Sequence, residues 1–541
     1  MEVLTANLSR KQVIFCLIVI CTISLALKLS LVNFASVPNQ DTFGYILNAI
    51  SIIHGDFSEP PRKTLGWSFF ATPFLFLVNS DHFIDYVNVF RSLSIGVSVI
   101  TIPLAYALSR KYFETKYSLV ATSFFAFEPH LSSIAGQGLS EPLYILFCVI
   151  AFYFILHGNR LSYFAFAFAA LLWWVRWPGI IVFFAISIIY FINNRKSPKL
   201  VQKYLLCTML FLVIVSPMLI HRYEQYGDPL HFSLSDNFFT GDYGKLLAEN
   251  TKSTKYSVSD YIAENGIGQF ISKFVLTGIY NILEQIFRIS FPYLIVLLPF
   301  GILFSFRAFD QNAKYIRANW ILILVTLASS LISFSLIPER RFLYYLYPFL
   351  IIFAVMTIER VIKYGLSTFS FSERKKNITI LAVVATILIL SIGFAQRFAP
   401  DVLAEDEKIQ FTKYLITNFD KGKILLSNED WKYGTFLNVD NPKFFQNFTI
   451  NYNEQNSMNK VISTQFISLH AKSVSDLMLV GQQYDLKYLV LIDDDYSIWY
   501  SYLKDVYDNE SSYPYLTKIY DSSEMGLQKF RAKVFEINYR K

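Results

Sequence analysis

Charge is scarce in this chain. Of its 541 residues, 16% are Asp, Glu, Lys or Arg, where a soluble protein carries roughly 25%. Hydrophobic residues make up 54% and aromatics 17%. That imbalance excludes an ordinary soluble enzyme. Cysteine is scarce too: all four, Cys16, Cys21, Cys148 and Cys207, lie in apolar runs. No disulfide framework is available to a soluble part, and no cysteine pair has metal-ligand spacing. The seven histidines show no ligand spacing either, so no metal site is assigned. A divalent metal held by Asp41, Glu141 and His54 is conceivable but has no spacing to support it. Internal repeats and low-complexity linkers are absent. The net charge of +7 does not gather on one soluble face, which argues against a nucleic-acid partner.

What is present is a series of apolar runs of about 16 to 22 residues, the length a helix needs to cross ~30 Å of hydrocarbon. Eleven candidate spans follow: Val13–Val32, Val87–Leu108, Tyr117–Ile134, Pro142–Leu156, Tyr163–Val175, Pro178–Ile192, Tyr204–Ile220, Phe291–Phe306, Trp320–Ile337, Phe342–Val361 and Ile378–Phe394. The fifth and sixth are short and meet at "VRWPG", where Pro178 disfavours helix at Trp177. The first run lacks a small-residue cleavage site and reads as a retained anchor.

Orientation follows from Lys and Arg. With a cytoplasmic N-terminus, Arg10/Lys11, Arg110/Lys111/Lys116, Arg160, Arg195/Lys196/Lys199/Lys203, Arg307/Lys314/Arg317 and Lys363/Arg374/Lys375/Lys376 all fall on the cytoplasmic side, as the positive-inside rule requires. Segments 33–86 and 222–285 then form outer loops. The polar tail 397–541 forms a soluble extracytoplasmic α/β domain, with strand-like runs "KILLS" (423–427), "KYLVLI" (487–492) and "AKVFEI" (532–537). The expected fold is therefore an α-helical polytopic membrane protein, residues 1–396, with that domain appended.

The stretch "DTFGYILNAISII" in the first outer loop is amphipathic. Phe43, Ile46, Leu47, Ile50 and Ile53 share one helical face, and Asp41, Tyr45 and Asn48 share the other. Such a helix is expected to lie in the interface with its apolar side to lipid. Asp41 at its head reads either as a helix cap or as a general base at the membrane surface. More polar groups cluster at the same rim: Glu128 and His130 in "FEPH", Glu141 in "GLSEPL", Arg91 inside the second span, and Arg340 and Arg341 in "PERRFLYYLYP". Ionisable groups at bilayer depth are costly and commonly mark a site. Glu128 and Glu141 are equally suited to packing ion pairs with Arg91 or Arg176. Arg340 and Arg341 also suit interface anchors.

Together, "DTFGYILNAISIIHG", "RKTLGWSFFATPF", "FEPHLSSIAGQGLSEPLYILF", "VRWPG" and "ERRFLYYLYPFLIIF", in that order and spacing, resemble the GT-C type of glycosyltransferase. They are most similar to the branch of protein O-mannosyltransferases and lipid A aminoarabinose transferases. The resemblance covers about residues 10 to 400. It implies a polyprenyl-phosphate sugar donor used on the extracytoplasmic face, with a protein, lipid or glycan acceptor. Asp41 matches the catalytic acid of the first loop; many members have Asp-Glu there, and this chain has Asp41-Thr42. Glu141 matches an acid of the second outer loop. Arg340 and Arg341 match the basic residues that hold the donor phosphate, with Arg62 and Lys63 as weaker candidates. Tyr45, Asn48, Glu128, His130 and Tyr345 are expected to line the substrate path.

The chemistry agrees. A guanidinium neutralises a phosphate leaving group through bidentate, charge-assisted hydrogen bonds. A positioned carboxylate takes the proton of a weak nucleophile, and direct displacement inverts the anomeric centre. "DDD" at 493–495 follows a strand and reads as loop polarity. "DWKYG" at 430–434 lacks the second tryptophan of the oligosaccharyltransferase motif. A lipid-linked glycan transporter is the alternative class, but it should show two matching halves with broken helices, and this chain's halves are unlike. Transfer of a whole oligosaccharide is the third.

Overall fold

The apolar runs become helices in the computed structural model, which describes residues 8–58, 63–78, 80–158, 161–232, 238–242, 256–306, 313–419, 424–426, 436, 440, 466–467, 469–493 and 502–539. The first ten helices are α1 (Arg10–Ser30), α2 (Gln40–Ile53), α3 (Gly66–Leu75), α4 (Phe83–Ser109), α5 (Thr115–Ala126), α6 (Pro129–Ala135), α7 (Glu141–His157), α8 (Ser162–Val175), α9 (Gly179–Asn194) and α10 (Leu200–Tyr226). Among the described residues six helices are long and apolar enough to cross a membrane, or seven if the pair Val258–Ser290 and Leu294–Phe306, bent by 115°, counts as one span. The protein is an integral membrane protein. The count differs from eleven for local reasons. Helices α7, α8 and α9 are shorter apolar helices. The third candidate is broken: Pro129 has no N–H to continue α5, and Glu128 instead caps α6, accepting from Leu131 N at 2.5 Å. "VRWPG" is the expected turn, with Arg176 in extended backbone between α8 and α9. A Cβ on Gly179 would lie 2.2 Å from Trp173 N, so glycine is what allows that turn to close.

One hydrophobic core runs through the helical part. Its centre is the helix Tyr347–Arg360, in which every residue from Tyr347 to Ile358 is buried. A 3₁₀ turn, Arg340–Leu346, leads into it.

Helix α2 departs from the expectation of an interfacial helix. Phe43, Ile46, Leu47 and Ile50 are buried in the main core and not turned to lipid, and Asn48 and Ser51 on its other face are buried as well. The amphipathic pattern is real, but α3, α4 and the helices around them cover both faces. Thr42 Oγ1 donates to Gln137 O at 2.7 Å, and Ser68 Oγ to Tyr45 O at 2.8 Å. These bonds fix α2 in place.

The tail carries a five-stranded sheet: β1 (Ile424–Leu426), β2 (Phe466–Ile467), β3 (Tyr488–Ile492), β4 (Leu516–Asp521) and β5 (Ala532–Ile537), in the order β2-β1-β3-β5-β4. The β2–β1–β3 part is parallel, and β5 runs antiparallel to β3 and β4. Both faces of β3 are covered. Leu489 and Leu491 pack with Leu477 and Leu503, while Val490 and Ile492 pack with Phe411 and Leu415 of the helix Val402–Asn418. Double burial is why "YLVLI" reads as an unbroken apolar run. Glu407 of that helix accepts from the backbone N of Gln528, Lys529 and Phe530 at 2.7–2.8 Å, tying helix to sheet. Two described residues of the tail contact the start of α4: Asp440 Oδ1 accepts from Phe83 N at 2.9 Å, and Phe436 packs edge-on against Phe83.

Candidate active site

Asp41 lies in the first turn of α2 but does not cap it. Asn39 does, its Oδ1 accepting from Asp41 N at 2.9 Å. The Asp41 carboxylate is therefore free to turn outward, where it meets two cations. Arg341 Nη1 donates to Oδ2 at 2.5 Å, bridging 300 residues of sequence, and Lys63 Nζ lies 3.6 Å from Oδ1. Burial alone would push the Asp41 carboxyl up. The charges of Lys63 and Arg341, with the Arg341 hydrogen bond, outweigh it and hold the group well below the usual carboxylate range.

Lys63 stays against α2 because its ammonium also donates to Gln40 O and Asp41 O at 3.3 and 3.2 Å. Its Nζ sits 5.4 Å from the Tyr45 ring centroid, a cation–π distance. Gly44 makes room for it: a Cβ there would lie 2.2 Å from Lys63 Nζ.

Arg341 has a second carboxylate. Its Nε donates to Glu339 just ahead of the 3₁₀ turn. Glu141, the first residue of α7, pairs with Arg176 from the VRWPG turn. Arg176 also donates to Ser140 Oγ at 3.3 Å, and Ser140 in turn lies 3.1 Å from Tyr45 Oη. Glu141, Tyr144, Ile145, Arg176, Pro178, Arg341, Phe342 and Tyr345 line a small cleft. Tyr144 and Tyr345 meet edge to face there, 5.0 Å between ring centroids.

The expected residues thus divide. Asp41, Lys63, Arg341, Glu141, Tyr45 and Tyr345 belong to one connected set of ion pairs and cleft walls. Arg340 is exposed on the same turn and has no ion-pair partner among the described residues. Arg62 lies outside the described residues. Asn48 is buried, and among the described residues neither amide atom has a hydrogen-bond partner. Glu128 and His130 form a separate pair, Nδ1 to Oε1 at 2.7 Å, near the buried Lys28. Arg91 meets neither glutamate and donates to Phe34 O and Ser36 O at 3.2 and 2.9 Å. The residues missed by sequence reasoning are Glu339 and Ser140. The one signal for Glu339 was its place directly before the arginine pair.

Among the described residues no three His, Cys, Asp or Glu side chains converge. Asp41 and Glu141 face guanidinium and ammonium groups, which already supply the positive charge.

No protein-family model and no curated protein matches the chain. Solved structures do. The archaeal oligosaccharyltransferase AglB from Archaeoglobus fulgidus, in complex with an inhibitory peptide and a dolichol-phosphate, superposes with a TM-score of 0.56 at 13% identity, over 97% of this chain and 74% of that one. Its apo form gives 0.54 at 10% identity, over 90% and 70%. ArnT from Cupriavidus metallidurans, bound to undecaprenyl phosphate, gives 0.51 at 12% identity, over 96% and 97%. The chain shares the overall fold of these structures. In this chain the Asp41–Arg341 contact joins the first turn of α2 to the turn that enters the central helix.

Proposed function

We propose that the protein is an inverting glycosyltransferase that moves a sugar from a polyprenyl-phosphate donor to an acceptor at the extracytoplasmic face. The observation that carries this reading is the convergence of Asp41, Lys63 and Arg341, with Arg341 also lining the cleft. Asp41 is the general base: it takes the proton from the acceptor hydroxyl or amide as that atom attacks the anomeric carbon. The C–O bond to the donor phosphate breaks, and the phosphate leaves with the electron pair. Arg341, Arg340 and Lys63 neutralise the charge that gathers on it. Glu141 fixes Arg176 at the cleft wall, and Tyr45 and Tyr345 border the sugar path. Residues 1–396 form the catalytic module, and 397–541 form a domain on the same side as Asp41.

Two of the solved relatives are crystallised or complexed with a polyprenyl-type phosphate, which supports the donor class. The likeness to AglB supports a second reading, transfer of a preassembled glycan and not a single sugar. One assay separates them: membranes containing the wild-type protein or Asp41→Asn are given a panel of radiolabelled polyprenyl-phosphate sugars and glycans. Transfer is expected from one of them, reduced by about 10²–10⁴-fold in Asp41→Asn at equal protein level, the range of general-base catalysis. Undiminished transfer would remove Asp41 from the mechanism.

A further inference from the structure

We infer that Glu339 is a further residue of the donor site: its carboxylate holds the Arg341 guanidinium in place until the donor phosphate replaces it. This rests on the proposed function and names how the site is kept ready.

A guanidinium presents five N–H donors in one plane. Those of Arg341 are shared between two carboxylates, Asp41 at Nη1 and Glu339 at Nε, while the Phe342 ring lies 5.4 Å from its carbon. With Lys63 also on Asp41 the cluster is neutral without a ligand, and Arg340 next to it is exposed with no ion-pair partner among the described residues. The two carboxylates occupy the N–H edges that a phosphodiester would take, since carboxylate and phosphate oxygens satisfy the same fork.

The two differ in how easily they can leave. Asp41 is fixed on α2, a helix buried on all sides, and keeps Lys63 at 3.6 Å whatever Arg341 does. Glu339 sits in extended backbone outside any helix, 38% exposed, and among the described residues Arg341 is the one hydrogen-bond partner of its carboxylate. Glu339 can therefore swing into water at little cost when phosphate arrives. As Arg341 turns to the phosphate, Asp41 loses its closest positive charge and becomes a stronger base. Donor binding thus precedes and prepares proton removal from the acceptor, and an acceptor arriving first meets an Asp41 still tied to Arg341.

The test is direct binding of farnesyl phosphate, a short polyprenyl phosphate without sugar, to the full-length protein in nanodiscs, for wild type, Glu339→Gln, Glu339→Asp and Arg341→Gln, with thermal stability measured alongside. Glu339→Gln should bind about two- to fivefold more tightly, the scale of removing a partly exposed ion-pair competitor. Glu339→Asp should return towards wild type, and Arg341→Gln should bind more weakly. In turnover, Glu339→Gln should lower the donor KM and leave the acceptor KM unchanged. Unchanged or weaker binding by a Glu339→Gln protein of wild-type stability would overturn the inference while leaving the proposed function standing. Absence of binding by every variant, wild type included, would overturn the proposed function and this inference with it.

Discussion

The Asp41 carboxylate is available for chemistry because Asn39 does the capping, and Lys63 can reach it because residue 44 is a glycine. A methyl group at position 44 would take the space of the Lys63 ammonium, 2.2 Å from the would-be Cβ. That end of a lysine is free to move, so the expected consequence is displacement of Lys63 rather than collapse of α2. Gly44→Ala should therefore behave like Lys63→Ala: donor KM raised about tenfold or more, the scale of losing one charge-assisted hydrogen bond, with stability little changed. Equal donor KM values for Gly44→Ala and wild type would mean that Lys63 does not contact the donor. The sequence makes part of this site readable and hides the rest. Asp41, Tyr45 and Asn48 fall on one face by helical spacing, and the family resemblance points to Asp41 and the arginine pair. Spacing cannot show that Arg341 rather than Arg340 meets Asp41. Successive residues of a 3₁₀ turn point roughly 120° apart, so the choice depends on where that turn is packed. Glu128 and His130 gave the same signal of polar groups at a rim, yet they form their own buried pair, because Pro129 starts a short helix that turns them towards Lys28.

At the level of elements, hydrophobic periodicity locates the helices and says little about which faces meet. The pattern of α2 is equally suited to lipid on one side or to protein on both, and only the packing of α3 and α4 decides. The strands behave alike. β1, β3 and β5 stand out as apolar runs, while β2 is two residues long and β4 is a half-exposed, bulged edge with Lys518 and Asp521 in it. Helix contacts are carried by small residues that no periodicity marks. Gly301 lies so near the central helix that a Cβ would meet Phe353 O at 1.8 Å. Small residues let helix backbones approach closely in a membrane, where burial from water adds no attraction. Gly301→Ala must push the helix Leu294–Phe306 away from Tyr347–Arg360. It is expected to destabilise by about 1–3 kcal/mol, as overpacking of a tight core does, read as a lowered melting temperature in detergent. A wild-type melting temperature would mean that the two helices separate there without cost. Because the central helix continues from the Arg340–Leu346 turn, the same variant should also weaken donor binding.

For the whole molecule, the reaction scheme depends on which side of the membrane the cleft faces. Nucleotide sugars are normally confined to the cytosol, so an Asp41 rim outside it needs a donor carried on a lipid, and the arginine-bound phosphate follows from that. The Lys and Arg distribution favours this orientation by an argument independent of the fold. The helix ends agree with it internally. Asp41, Glu141 and Arg341 meet at one rim, while Lys363 pairs with Glu114, and Lys116 donates to Asn377 at 2.8 Å. That places two of the basic loops together. Single cysteines at two exposed positions test it. Ser58 lies in the loop after α2, close in sequence to Asp41, and Thr368 lies just after the central helix, between Lys363 and Lys375. In intact cells, a membrane-impermeant maleimide should label Ser58→Cys and leave Thr368→Cys unlabelled until the cells are opened, against a wild-type background set by Cys16 and Cys21, which lie within α1. The opposite pattern would put Asp41 on the cytosolic side. There a soluble nucleotide sugar could reach it, and the arginine pair would no longer require a lipid-borne phosphate.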